Sequence, residues 1–208
     1  VTKSCNCVFA QIAQDLGRNN LKKMAEKLGY NEDFLFDDLM IYQSSYDVSD
    51  ARDIDYAWSS VGQYKDTASP MHVCMITSAN DGVMMEPKLI KSVMNYRNFE
   101  YIKMTSNTYR RCMSQQTAEQ LQEMMVNVVK NGTGKSAAIK GVTVAGKTGT
   151  AEVSDNKETK PHAWFTGFIQ DEEYPYAIVV MLENAGGGGS QAAPIAASVL
   201  KKTMELIK

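Results

Sequence analysis

The sequence predicts an α+β protein: an antiparallel β-sheet covered by a C-terminal helix, plus a mainly helical subdomain. Three observations lead there. Apolar residues recur at helical spacing in several segments between residues 8 and 131. After Gly141 the period becomes extended, and three strand-like runs follow one another. The chain then returns to a helical period near its end, which gives the sheet a cover for one face. The expected division is residues 1–140, mainly helical, and residues 141–208, strands plus the last helix, as parts of one discontinuous domain.

In VFAQIAQDL, residues 8–16, Phe9, Ile12, Ala13 and Leu16 fall on one helical face, and Gly17 supplies a stop. Leu21, Met24, Ala25 and Leu28 mark a second short helix. Residues 31–68 are polar and rich in Asp, Ser and Tyr, so they read as a long irregular connection of the kind that lines sites. Ser69-Pro70 opens a helix that ends near Asp81-Gly82. Residues 83–104 read as short extended pieces. Thr117 is the expected cap of the next helix, with Gln120 completing a capping box and Asn131-Gly132 ending it. Its expected apolar face is Ala118, Leu121, Met125 and Val128.

Residues 142–153, 163–169 and 176–182 are the three strands, with QDEEYP, residues 170–175, as an antiparallel turn. The final helix, roughly 192–207, is expected to turn Ile195, Val199, Met204 and Ile207 to one side, with Pro194 in its first turn. GGGGS at 186–190 looks like a synthetic linker. A native loop is preferred, since both flanking elements have a place in one fold.

Composition bounds the function classes. The chain has 208 residues, 44% hydrophobic and 22% charged, with a net charge of −2, enough apolar content for a packed core. No basic stripe marks a nucleic-acid surface, and no nucleic-acid partner is expected. No apolar run approaches the ~18–20 residues that cross a bilayer. The first residue is Val1 and no signal peptide is visible, so the chain is expected to be a piece of something longer. Cys5, Cys7, Cys74 and Cys112 form no secreted disulfide framework. Either the compartment is reducing or the thiols are buried and unpaired. Cys5-x-Cys7 with His72-x-Cys74 would offer zinc four soft ligands, but unpaired thiols and a helix histidine are the favoured reading, and no metal or other cofactor is expected. The acidic run DVSDARDID, residues 47–55, lacks the glycine and terminal glutamate of a calcium loop and reads as a solvated loop.

GVTVAGKTGT, residues 141–150, admits two chemistries. Gly141-x-x-x-x-Gly146-Lys147-Thr148 fits a phosphate-binding P-loop, and Lys147-Thr148-Gly149 on a strand fits an acyl-transfer motif. A P-loop needs a buried strand before its first glycine and a helix opening at its lysine. Here Val142-Thr143-Val144 favours extension, and residues 149–161 have no apolar helical face, so nucleotide binding is a distant alternative.

Ser4-Cys5-Asn6, before the first helix, is an S-x-N pattern. Together with Lys147-Thr148-Gly149 and the flanking text KNGTGKSAAIKGVTVAGKTGTAEV, HAWFTGFI, SQAAPIAASVL and VGQYKDTASPMHVCMITSANDGVMMEPKLI, it resembles the C-terminal part of a penicillin-binding protein transpeptidase domain, closest to the class B type. The resemblance runs from Ser4 to the C-terminus. It implies a β-lactamase/transpeptidase-like fold, here incomplete, and a D,D-transpeptidase that cross-links peptidoglycan stem peptides through an acyl-serine and binds β-lactams. It further implies a parent anchored in the bacterial membrane by an N-terminal segment, working on the extracytoplasmic face with other cell-wall synthesis proteins. Alternatives on the same fold are a β-lactamase or a non-catalytic β-lactam sensor.

By the resemblance, Ser4 relays a proton toward the leaving amine, Asn6 hydrogen-bonds the substrate amide, and Lys147 supplies positive charge. The hydroxyls of Thr148 and Thr150 would bind the substrate carboxylate from one face of the strand. Gly149 lets the substrate approach the backbone, and the Thr150 N–H is an oxyanion donor. A Ser-x-Asn before a helix is, taken alone, most often an N-cap, and a strand lysine is most often solvated. Tyr64 departs from the family, which often has glycine after Gly62-Gln63. The family's nucleophile lies in an S-x-x-K segment upstream of S-x-N. The matches Ser154–Lys157 and Ser198–Lys201 are elsewhere and are rejected, so the chain alone is expected neither to hydrolyse nor to retain a β-lactam. Without the upstream part, residues 176–182 are expected to carry an exposed sheet edge.

Overall fold

The computed structural model describes residues 1–154, 156 and 158–206. Helix α1 (Asn6–Leu16) ends at Gly17, whose φ of 78° suits glycine, and α2 (Arg18–Lys27) follows at once. On α1 only Ala13 is buried, among Tyr46, Val48, Ala51 and Tyr56. Ile12 and Leu16, expected on the same inner face, are 44% and 49% exposed.

The segment 31–68 is mostly irregular but holds more than a connection. Strands β1 (Phe34–Leu35) and β2 (Met40–Ile41) pair antiparallel, and helix α3 (Asp53–Ser59) begins inside the acidic run that read as a solvated loop. No apolar period announces α3, because tertiary ties hold it. Arg18 pairs with Asp53 at 2.9 Å, and the buried Tyr56 hydroxyl donates to the Ala13 carbonyl at 2.6 Å.

Helix α4 (Pro70–Ser78) starts as predicted, the Ser69 hydroxyl accepting from the His72 N–H at 3.2 Å. The His72 ring is fully buried and both nitrogens are engaged, Nδ1 with the Ser44 hydroxyl and Nε2 with the Leu28 carbonyl, each at 2.7 Å. Burial pushes its pKa down, which favours the neutral ring, and Nε2 is the donor because a carbonyl can only accept. A ring so committed has no lone pair for zinc. Cys5 and Cys7 are exposed, and among the described residues no cluster of three metal-ligating side chains occurs.

Residues 83–111 form two hairpin-like pairs: β3 (Val83–Met85) with β6 (Thr108–Arg111), and β4 (Ser92–Met94) with β5 (Glu100–Lys103). Helix α5 (Gln115–Asn131) corrects the predicted cap. Ser114, not Thr117, is the N-cap, its hydroxyl accepting from the Thr117 N–H at 3.1 Å. Both residue types cap well, and the earlier one wins because Gln115 and Gln116 continue the helix without strain.

The C-terminal sheet has the order β7 (Val144–Ala151), β8 (His162–Ile169), β9 (Ala177–Leu182), antiparallel throughout. Among the described residues β7 and β9 are its rims. Residues paired across strands share a face. Lys147, Gly149, Trp164 and Thr166 therefore look toward α4, where the Thr77 and Thr166 hydroxyls bond. Gly146, Thr148, Phe165 and Val180 look toward α6 (Ala192–Leu206).

The inner face of α6 is not the predicted one. Ala192, Ala193, Ala196 and Leu200 are buried against the sheet, while Ile195 and Val199 are 41% and 48% exposed. Small alanines let the helix lie close over Phe165, and the larger β-branched residues turn away. The predicted position of Ile207 lies outside the described residues.

Candidate active site

Two distant segments meet at Lys147. Its Nζ donates to Ser4 Oγ at 2.9 Å and to the Thr148 carbonyl at 2.7 Å. Both partners are neutral oxygens, and burial pushes the ammonium below its ordinary pKa. The lysine sits in the middle of β7, not at the head of a helix, which removes the P-loop reading.

Ser4 is not a helix cap. Cys5 is the N-cap of α1 and makes no side-chain capping bond, so the Ser4 hydroxyl is directed to Lys147 instead. Ser4 has a φ of 51°, a left-handed conformation that a non-glycine residue adopts at a cost. The backbone around it is tied down from α5. Asn127 Nδ2 donates to Thr2 Oγ1 at 2.7 Å, and the Thr133 N–H donates to the Thr2 carbonyl at 3.3 Å.

These elements enclose a cleft of about 680 Å³ containing all six predicted residues: Ser4, Asn6, Lys147, Thr148, Gly149 and Thr150. Asn6 enters from the first turn of α1. Thr148 and Thr150 share the face opposite Lys147, as strand alternation requires, and reach the cleft because β7 is a rim strand.

Three contributors are not evident from the motifs. The Thr133 hydroxyl lies 2.7 Å from that of Thr148, joining the end of α5 to the K-T-G strand. Gln63 Nε2 donates to the Thr150 carbonyl at 3.2 Å. The Gly188 N–H donates to Thr150 Oγ1 at 3.3 Å, and a Cβ on Gly188 would collide with the carbonyl oxygens of Trp164 and Gly149. Gly187, Gly188 and Gly189 thus form a wall of the cleft, so the glycine run is not a linker. Its signal in the sequence was its position between the last strand and the last helix.

Ser198, of one rejected S-x-x-K match, lies on α6 and donates to the Pro194 carbonyl at 3.0 Å. The other match includes Asp155 and Lys157, which lie outside the described residues.

The arrangement defines a class: a mixed helix–sheet protein with S-x-N on one wall of a cleft and K-T-G on a rim strand facing it. A model of the penicillin binding protein transpeptidase domain matches residues 1–201, and the chain belongs to that family. The peptidoglycan D,D-transpeptidase PbpA of Mycolicibacterium smegmatis is 33% identical over 202 residues, covering 93% of this chain and 40% of the relative. Among solved structures, the D,D-transpeptidase domain of a peptidoglycan glycosyltransferase from Eggerthella lenta superposes with a TM-score of 0.85 at 29% identity, over 99% of this chain and 52% of that one. The imipenem acyl-enzyme complex of penicillin-binding protein A from Mycobacterium tuberculosis gives 0.81 at 30% identity, over 97% and 45%. The chain therefore spans about half, or less, of the proteins it matches.

Proposed function

We propose that this chain is the S-x-N and K-T-G portion of a peptidoglycan D,D-transpeptidase, working outside the cytoplasmic membrane on stem peptides and acylated by β-lactams. The contact of Lys147 with Ser4 carries the reading. It joins residues separated by 143 positions, and it gives both a task that a solvated lysine and a capping serine lack.

In this reading the substrate carboxylate lies against Thr148 and Thr150. The Thr150 hydroxyl accepts from Gly188, so its own proton is free to donate to a carboxylate. Lys147 adds charge nearby. Because Lys147 donates to Ser4 Oγ, the Ser4 proton is free to pass toward a leaving amine, and the depressed lysine pKa eases replacement of that proton. Asn6 holds the substrate amide. The Thr150 N–H serves the oxyanion, a role worth about 3 kcal/mol in other acyl transferases. Gln63 keeps that end of β7 in place.

The cleft-lining serines among the described residues are Ser4 and Ser60, and neither has lysine three residues on. We therefore assign the acylated serine to a part of the parent outside residues 1–208, on a parent held at the membrane with other cell-wall synthesis proteins. Fluorescent penicillin followed by intact mass tests this. The 208-residue chain stays unlabelled, while the parent is labelled and loses labelling with Lys147→Ala. An adduct on the chain alone refutes the assignment of the nucleophile, and an unlabelled parent refutes the transpeptidase reading.

A further inference from the structure

The β4–β5 hairpin stands apart from the cleft and presents an unusual surface. Within it and the segment leading to it, Leu89, Ile90, Met94, Tyr96, Phe99, Tyr101 and Ile102 are all exposed, Tyr96 at 88% and Phe99 at 64%. Every residue of β5 faces solvent. Residues 88–103 also carry four cations (Lys88, Lys91, Arg97 and Lys103) against one anion, Glu100, in a chain whose net charge is −2. Among the described residues Lys88 alone of these has an acidic neighbour in ion-pair range, Glu86 at 3.8 Å. Arg97 lies over the Tyr96 ring, 5.2 Å from its centroid, so aromatic and cation are offered together.

The tip is a defined shape. Asn95 Oδ1 accepts from the Arg97 and Phe99 N–H groups at 2.8 and 3.1 Å, and Asn98 turns the chain at a φ of 60°. Met94, Tyr96 and Phe99 are exposed at this turn, with the Arg97 cation over the Tyr96 ring. Large apolar side chains exposed together in one short hairpin mark an interaction surface. Exposed aliphatic side chains beside aromatics and an excess of cations match a bilayer interface, where apolar groups enter the acyl boundary and cations meet anionic headgroups.

We propose that the β4–β5 hairpin docks on the surface of an anionic phospholipid bilayer, with Met94, Tyr96 and Phe99 inserting shallowly and Lys91, Arg97 and Lys103 pairing with headgroup phosphates. This does not depend on the transpeptidase assignment, since the hairpin and the cleft share no residue.

Vesicle co-sedimentation of the 208-residue chain tests it. The chain is expected to partition onto vesicles containing phosphatidylglycerol and to leave pure phosphatidylcholine vesicles, with binding falling as salt rises. Phe99→Ser and the double variant Lys91→Glu/Arg97→Glu should each weaken partition about tenfold or more. These residues are exposed, and an unchanged circular dichroism melt shows that the variants fold. Equal binding to both vesicle types, binding untouched by the variants, or sedimentation with isolated cell-wall polymer but not with vesicles would each overturn the proposal.

Discussion

Ser4 Oγ lies 2.9 Å from Lys147 Nζ while the Ser4 backbone holds a left-handed φ of 51°. The hydroxyl is delivered by a backbone conformation that a side chain disfavours. Local cost and site geometry are thus properties of one residue.

Ser4→Gly and Ser4→Ala separate them. Both remove the hydroxyl, but only glycine relaxes the backbone. Ser4→Gly should be more stable than Ser4→Ala by about 1 kcal/mol in denaturant melts. In the parent enzyme of the proposed function both should slow turnover by on the order of 10²–10⁴. Equal stability of the two variants would show that the left-handed turn carries no cost.

Asp66 predicts a pH signature. Its Oδ1 is buried with no hydrogen-bond partner among the described residues, and burial pushes the carboxyl up to about 7 from 3.8. A folded value above the unfolded one means that the stability associated with this group is complete below about pH 4 and is lost as pH rises through about 7. Asp66→Asn should therefore stabilise the chain at about pH 8 by roughly 1–2 kcal/mol, after discounting for solvent screening, and change little near pH 4. Melts of both proteins at the two pH values decide it, and an equal gain at both would contradict the reading.

Gly188 tests the glycine run. A Cβ there meets backbone oxygens on both β7 and β8, which cannot rotate aside as a side chain would. Gly188→Ala should cost about 1–3 kcal/mol, whereas Gly186→Ala meets only the penalty of its φ of 109° and no neighbour. Amide shifts at Thr150 on Gly188→Ala but not on Gly186→Ala would locate the effect at the site.

Tyr64 occupies a position where glycine was the family expectation, and its φ is 70°. Tyr64→Gly should leave stability unchanged or raise it by up to about 1 kcal/mol, the relief of the backbone being partly offset by unfolded-chain entropy. A clear loss would show that the ring's contacts outweigh the strain, the Lys65 ammonium 5.5 Å from its centroid among them.

Much of this was legible because its causes are local. Ser69-Pro70 opened α4 through cap chemistry confined to one turn, and the strand-and-helix order of the last third followed from period and turn residues. Ser4, Asn6 and Lys147 came from motif text, and the fold brings them to one cleft. What escaped was decided at long range. Helix α3 is held by Ala13 and Arg18 rather than by its own pattern. The alanine face of α6 beat its larger residues because closeness to Phe165 mattered more than hydrophobicity. Thr133, Gln63 and Gly188 join the site through single hydrogen bonds that no spacing rule encodes.

The position of β7 at a sheet rim has a consequence for what the cleft can tolerate. An extended chain laid beside it can continue the ladder, drawing its affinity from main-chain amides that every peptide possesses. Recognition of that sort is indifferent to most side chains and strict about direction and chain end. Diversification of the guest's composition would therefore be a poor route of escape from such a host.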